Sequence, residues 1–99
     1  MRLSPDDTDH IRQQVARTAG ADARVRLFGS RLDAAALGGD VDLLVELSEP
    51  VARPALLSAQ LAARISRSLR GRRVDVVLSA PNLQSLPIHR RARAEGILL

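Results

Sequence analysis

Three segments in which apolar and polar residues alternate constrain the fold of this chain most strongly. They are Ala23 to Phe28, Asp40 to Leu47 and Arg73 to Ser79. Alternation with a period of two is typical of β-strands, because successive side chains point to opposite faces of a sheet. The sequence therefore predicts three strands, each with an apolar face and a face that carries charged residues.

Helical patterns precede and separate these strands. Ser4-Pro5-Asp6-Asp7 has the residues of a helix start, with a serine cap, a proline in the first turn and carboxylates at the positive end of the dipole. This helix is predicted to end near Gly20. A second helix is predicted over Arg53 to Arg70, because leucine and isoleucine recur there on one stripe, with Gly71 as its C-cap.

The remaining segments complete the predicted element order. A short turn of helix is predicted over Arg31 to Leu37, a last short helix over Ile88 to Ala94, and an apolar tail over Gly96 to Leu99. The order helix, strand, strand, helix, strand, helix predicts an α/β (α+β) fold. In this fold a small mixed sheet has helices packed on one face.

Composition limits the classes of protein and partner. The 99 residues suit a single domain over positions 1–99. There is no cysteine, so disulfides and thiolate metal sites are excluded. All 15 basic residues are arginine, and the net charge of +4 favours phosphate-bearing or acidic partners. Nucleic acid is not expected as a partner, because no Trp or Tyr is available for base stacking.

The distribution of apolar residues predicts where the protein acts. The first residues turn acidic at once and lack the apolar stretch of a signal peptide. No apolar run approaches the roughly 20 residues that a membrane-spanning helix needs. We therefore expect a cytoplasmic protein with no membrane partner.

Asp40, Asp42 and Asp75 are the candidate metal ligands. Asp40 and Asp42 are two positions apart on one predicted strand, so both side chains point to the same face, about 6.5–7 Å apart. Two such carboxylates repel each other unless a cation lies between them, and Mg²⁺ prefers oxygen ligands and keeps some positions for phosphates. Asp75 has the same phase on the next strand and can join this site if the two strands are neighbours.

Gly29-Ser30 and Arg31 are the candidate nucleotide-binding residues. Gly29 and Ser30 directly follow the first predicted strand. Glycine lets a phosphate approach the backbone, and nearby N–H groups and a serine hydroxyl can bind it. Arg31 could add a charge-assisted hydrogen bond to the same phosphate.

Together, these motifs resemble a known family. Leu27-Phe28-Gly29-Ser30-Arg31, then Asp40-Val41-Asp42-Leu43-Leu44-Val45-Glu46, then Arg73-Val74-Asp75-Val76-Val77 are similar to the minimal nucleotidyltransferases of the DNA polymerase beta superfamily. The resemblance spans roughly residues 23–99. The nine residues between Ser30 and Asp40 make a loop one residue shorter than the family's usual one.

The resemblance implies a function and a partner. It implies transfer of a nucleoside monophosphate from ATP, or another nucleoside triphosphate, to a hydroxyl with the help of Mg²⁺. Asp40, Asp42 and Asp75 would be catalytic metal ligands, while Gly29, Ser30 and Arg31 would bind the nucleotide. Several members of this class are antitoxins that adenylylate a HEPN-domain toxin. That resemblance implies a protein acceptor. A homo- or hetero-oligomer is expected separately, because a chain this short buries a limited fraction of its surface and a partner or a dimer would add stability.

Other functions remain open at this point. The chain could be a non-catalytic antitoxin that neutralises its partner by contact alone, with a residual acidic site. A third possibility is an enzyme that modifies an aminoglycoside or another small molecule, which would need a further substrate-binding domain or a dimer.

Individual residues also have structural interpretations. Asp40 and Asp42 could belong to a solvated strand face, and Asp75 could pair with Arg73 or Arg26. Separately, Glu46 is expected to be an ordinary exposed residue and Asp33 a turn or cap residue. His10 and His89 lie on different predicted helices without ligand spacing, so both are expected at the surface.

Overall fold

The computed structural model describes residues 3–29 and 40–99. Within these ranges three helices and four strands follow one another along the chain: α1 Pro5–Ala19, β1 Arg24–Phe28, β2 Val41–Glu46, α2 Pro54–Ser68, β3 Val74–Ser79, α3 Pro87–Glu95 and β4 Ile97–Leu98. The predicted turn of helix over residues 31–37 and the predicted role of Asp33 lie outside the described residues.

The predicted start of α1 is confirmed. The Ser4 hydroxyl accepts a hydrogen bond from the Asp7 backbone N–H at 3.0 Å, and an Asp7 carboxylate oxygen accepts one from the Ser4 N–H at 3.2 Å. This reciprocal capping box satisfies two backbone donors that a helix start would otherwise leave unpaired. Pro5 in the first turn loses no hydrogen bond there, because its missing N–H would have had no helical partner.

The sheet is mixed, as predicted, and its strand order is β3-β2-β1-β4. β1 pairs with β2 in antiparallel fashion, whereas β2 pairs with β3 in parallel. β4 lies in the predicted apolar tail and pairs antiparallel to β1, with Ile97 opposite Leu27. The sequence does not predict this strand, since two residues are too few to show a period.

The two long helices cover one face of the sheet and form the main core. This core consists of buried apolar residues from α1, from α2 and its C-cap, and from β1, β2 and β3: Ile11, Val15, Val25, Leu27, Val41, Leu43, Val45, Leu61, Ile65, Leu69, Val74 and Leu78. The prediction of helices on one face is confirmed by these two helices. The short α3 packs on the opposite face, where Ala92 contacts the buried side chains of Phe28 and Leu44. This face also carries the polar residues of β2 and β3.

The end of α2 differs from the predicted one. The helix ends at Ser68 with Leu69 as its C-cap, and Arg70 then adopts the left-handed conformation with φ of 62°. The Gly71 N–H bonds to the Ser66 carbonyl at 2.8 Å, which is the pattern of a Schellman motif. Arg70 therefore takes the left-handed position at which glycine is usually found, and Gly71, with φ of 82°, follows it. No helix in the described ranges is long and apolar enough to cross a membrane.

Candidate active site

Asp42 and Asp75 lie side by side on the sheet face that α3 partly covers. They are direct partners in the parallel register of β2 and β3, so their side chains leave the same face of neighbouring strands. Neighbouring strands are about 4.8 Å apart, which places two negative charges next to each other. The predicted adjacency of the two strands is confirmed, and it brings these two carboxylates together.

Gly29 lies against the Asp42 carboxylate at the end of β1. Phe28 pairs with Asp42 across β1 and β2, and Gly29 then turns with φ of 78°, a backbone conformation that favours glycine. A Cβ atom built on Gly29 would lie 2.5 Å from Asp42 Oδ2. Both the backbone conformation and the available space therefore require glycine at position 29.

Asp40 is oriented toward a different partner. It precedes the first residue of β2, and its Oδ2 lies 3.6 Å from Nε of the largely exposed Arg73. In residues 3–29 and 40–99, no group of three His, Asp or Glu side chains is close enough to hold a metal ion. The structure thus brings Asp42 and Asp75 together, whereas Asp40, just before β2, forms an ion pair with Arg73.

A pocket of about 350 Å³ opens in front of the two carboxylates. Its lining combines Gly29 and the two aspartates with apolar side chains and one cation: Phe28, Gly29, Asp42, Asp75, Val77, Ile88 and Arg91. Ile88 and Arg91 come from α3 and were not predicted as site residues. Their spacing of three places them on one side of a helix, but only the packing of α3 shows which side faces the pocket. Ser30 and Arg31 lie outside the described residues.

Comparison with known proteins identifies the family. Residues 9–98 match the family model described as "Nucleotidyltransferase domain". This chain belongs to the nucleotidyltransferase domain family. Comparison with curated proteins and with solved structures gives no match. The family match includes Gly29, Asp42 and Asp75, and it supports the resemblance to the DNA polymerase beta superfamily.

The donor chemistry of this nucleotidyltransferase domain fits a magnesium ion. Asp42 and Asp75 offer hard carboxylate oxygens from adjacent strands, which is a donor set that Mg²⁺ accepts while it keeps other positions for water or phosphate. A divalent cation would also offset the repulsion between the two neighbouring carboxylates. Asp40 is close along the chain but is paired with Arg73.

Glu46 lies on the same face of the nucleotidyltransferase domain as Asp42, and the expectation that it is an ordinary exposed residue is wrong. Arg26 Nε bonds to its Oε1 at 2.6 Å and Arg93 Nε to its Oε2 at 3.1 Å. Burial acts to raise the pKa of the Glu46 carboxyl, but the hydrogen bonds and charges of the two arginines outweigh burial and lower that pKa below its usual 4.5. Arg26 thus pairs with Glu46 rather than with Asp75.

The expected surface position of His89 is also wrong. The side chain is 5 % exposed and lies between α3 and β3, where its Nε2 is 2.8 Å from the Leu78 carbonyl oxygen. Its Nδ1 accepts a hydrogen bond from the Leu86 backbone N–H at 2.9 Å. The sequence alone favours a surface position because it does not show that α3 packs on the sheet through its His89–Ala92 side.

Proposed function

We propose that this domain transfers a nucleoside monophosphate from ATP to a hydroxyl group in a magnesium-dependent reaction. The observation that supports this best is the in-register pair of Asp42 and Asp75 beside Gly29. Paired carboxylates next to a glycine turn combine a metal-binding group with a backbone that a phosphate can approach closely. The family match gives the class of reaction, and the pair gives the residues on which it would depend.

In this proposal Asp40, Asp42 and Asp75 hold the metal. When bound, Mg²⁺ would stabilise the negative charge that develops on the phosphate oxygens. Asp40 would have to leave Arg73 to take part. That rearrangement costs little, because an ion pair at 3.6 Å whose arginine is 75 % exposed contributes little to stability.

The chain's own residues would bind the triphosphate and accept the proton. Gly29, Ser30 and Arg31 would bind the triphosphate through backbone N–H groups, the hydroxyl and the guanidinium. The acceptor oxygen would bond to the α-phosphorus, while the bond from that phosphorus to the oxygen bridging to the β-phosphate breaks and pyrophosphate leaves. Asp75, which is exposed on β3, would take the proton of the attacking hydroxyl.

The proposed acceptor is a hydroxyl on a partner protein, and the resemblance to antitoxins points to a HEPN-type toxin. Exposed apolar side chains near the pocket support a protein acceptor, since Leu86 is 45 % and Ile88 is 43 % exposed. Ile88 belongs both to the pocket lining and to this surface, so an acceptor bound there would reach the two carboxylates.

The test uses ATP labelled at the α-phosphate, Mg²⁺ and the product of the neighbouring gene. We expect the wild type to label that protein, and Asp42→Asn to reduce the rate at least about a hundredfold, as expected for loss of a metal ligand. Asp22→Asn, an exposed charge change away from the pocket, is the matched control and should label normally. Equal labelling, or equal lack of it, by wild type and Asp42→Asn would contradict the proposal.

One observation favours a second candidate function, neutralisation of a partner by contact alone. Asp40 is engaged by Arg73, and the described residues contain no group of three acidic side chains at metal-binding distance. If Asp40→Ala and Asp42→Ala proteins still neutralise the toxin fully in cells, contact alone is the function. If both variants bind the toxin but fail to neutralise it, catalysis is required.

A further inference from the structure

The outer edge of β3 is held by side chains from the helices. The Arg73 carbonyl accepts the Val41 N–H at the start of β2, and the Ser79 carbonyl accepts the N–H of the residue that follows β2. The odd-numbered positions of β3 therefore face the neighbouring strand. The carbonyls between them, on Val76 and Leu78, therefore face away from β2. The Ser58 hydroxyl of α2 donates a hydrogen bond to the Val76 carbonyl at 2.9 Å. Nε2 of His89 lies 2.8 Å from the Leu78 carbonyl oxygen. His89 thus connects β3 to the first turn of α3.

The two hydrogen bonds of His89 determine its tautomer. Because Nδ1 accepts the Leu86 N–H, the ring proton must lie on Nε2, where it can be donated to the Leu78 carbonyl. One nitrogen therefore stabilises the first turn of α3, and the other fixes that turn to β3. The ring is 5 % exposed, so water does not readily replace either bond.

The helix turn fixed by His89 is the one that lines the pocket. Ile88 directly precedes His89 and Arg91 follows it by two positions, and both line the pocket together with Asp42 and Asp75. The other polar contacts between α3 and the sheet are made by Arg93, near the far end of the helix and outside the pocket lining. Of these polar contacts between α3 and the sheet, the one made by His89 is nearest along the chain to Ile88 and Arg91.

We propose that His89 is a positioning residue whose bond to the Leu78 carbonyl places Ile88 and Arg91 as the wall of the nucleotide pocket. Its effect on nucleotide affinity rests on the proposed function, whereas its effect on α3 does not. His89 is not among the described residues that line the pocket, so it acts on nucleotide binding through α3 and not on metal binding by Asp42 and Asp75.

Two substitutions separate the two bonds of the ring. In His89→Gln the side-chain amide can still donate to the Leu78 carbonyl, because its nitrogen is at the same distance along the side chain as Nε2. In His89→Asn the amide oxygen can still accept the Leu86 N–H, because it corresponds to Nδ1, but the bond to β3 is lost. Arg93→Gln is the matched control, since it removes a contact between α3 and the sheet that lies outside the pocket.

The experiment measures binding of ATP with Mg²⁺, and of Mn²⁺ alone, by calorimetry on the whole chain, together with amide hydrogen exchange over residues 88–92. We expect His89→Asn to weaken ATP binding about tenfold, a loss of about 1.4 kcal/mol, and to speed exchange in α3 while Mn²⁺ affinity stays within about twofold. His89→Gln should restore ATP affinity to within about threefold of the wild type, and Arg93→Gln should leave it unchanged.

Three results would overturn the proposal. They are equal ATP affinities of His89→Asn and wild type, equal losses in His89→Asn and His89→Gln, and a parallel loss of ATP and Mn²⁺ affinity. If the wild type itself binds no ATP, the proposed function fails separately. Hydrogen exchange then decides alone, with faster exchange in His89→Asn than in His89→Gln in favour of the positioning role and equal exchange against it.

Discussion

Gly29 leaves open the space that the Asp42 carboxylate occupies. A Cβ at position 29 would lie 2.5 Å from Asp42 Oδ2 and 3.3 Å from its Cγ. The residue that follows β1 therefore limits where the Asp42 side chain of β2 can point. The candidate site depends on this relationship, because Asp42 must remain beside Asp75 for the two carboxylates to act together.

Gly29→Ala should therefore remove activity and metal affinity beyond its effect on stability. Gly71 has nearly the same φ, 82° against 78°, and a Cβ at position 71 would have no atom within 4 Å, so Gly71→Ala is a matched control. Each substitution should cost about 1 kcal/mol of backbone strain, measured by urea unfolding. Only Gly29→Ala should also abolish nucleotidyl transfer and weaken Mn²⁺ binding. Equal activity of the two variants would contradict the role of Gly29.

Removing one of the two neighbouring charges should change stability in a metal-dependent way. Without divalent cations, we expect Asp75→Asn to unfold at a slightly higher temperature than the wild type, because one repulsion is relieved. With Mg²⁺, the unfolding temperature of the wild type should rise and that of Asp75→Asn should not, since a ligand that binds only the folded state stabilises it. Asp22→Asn should respond to Mg²⁺ as the wild type does.

The lowered pKa of Glu46 predicts an acid-dependent contribution to stability. A carboxyl whose pKa is lower in the folded than in the unfolded state stabilises the fold above the unfolded value, here about 4.5, and loses that effect as the pH falls through the folded value. Glu46→Gln should therefore reduce the free energy of unfolding by about 1 kcal/mol at pH 7. The difference from wild type should vanish in strong acid. A difference that does not depend on pH would contradict the assignment, and Glu49→Gln is the exposed control.

The end of α2 offers a stabilising substitution. Arg70 has φ of 62° and a side chain that is 85 % exposed, 3.9 Å from an Asp7 oxygen. Arg70→Gly should raise the free energy of unfolding by about 1 kcal/mol, because glycine adopts this conformation without steric cost and the exposed ion pair contributes little. Arg67→Gly, in the last turn of the same helix, should instead lower it by about 1 kcal/mol. Urea unfolding of both variants measures whether the free energy of unfolding rises in Arg70→Gly and falls in Arg67→Gly.

The sequence predicted those parts of the fold that have a repeating pattern. β1, β2 and β3 each contain enough alternating residues to show which side chains share a face, and the phase of Asp42 and Asp75 follows from that pattern. β4 could not be predicted, because Ile97 and Leu98 cannot show a period. Arg70 was missed as the left-handed residue because glycine is favoured there, and no local pattern shows that α2 ends at Ser68.

The candidate site was predictable only where it lies on strands. Asp40 shares the sequence phase of Asp42, but β2 begins at Val41, so the strand starts one residue later than predicted. Asp40 contacts Arg73 instead, and its role as a metal ligand stays a prediction. Ile88 and Arg91 join the site through tertiary packing of α3, which no local period encodes. The metal, the protein acceptor and the roles of all the candidate site residues stay predictions: Gly29, Ser30, Arg31, Asp40, Asp42 and Asp75.

The two edges of the sheet limit how this domain can assemble. At one edge, the outward carbonyls of Val76 and Leu78 are already bonded to side chains, and at the other edge β4 is only two residues long. Fewer backbone acceptors are therefore open to a partner's strand at these edges, which makes strand-to-strand association less favourable. A binding partner would instead meet side chains on the helices and on the sheet face around the pocket.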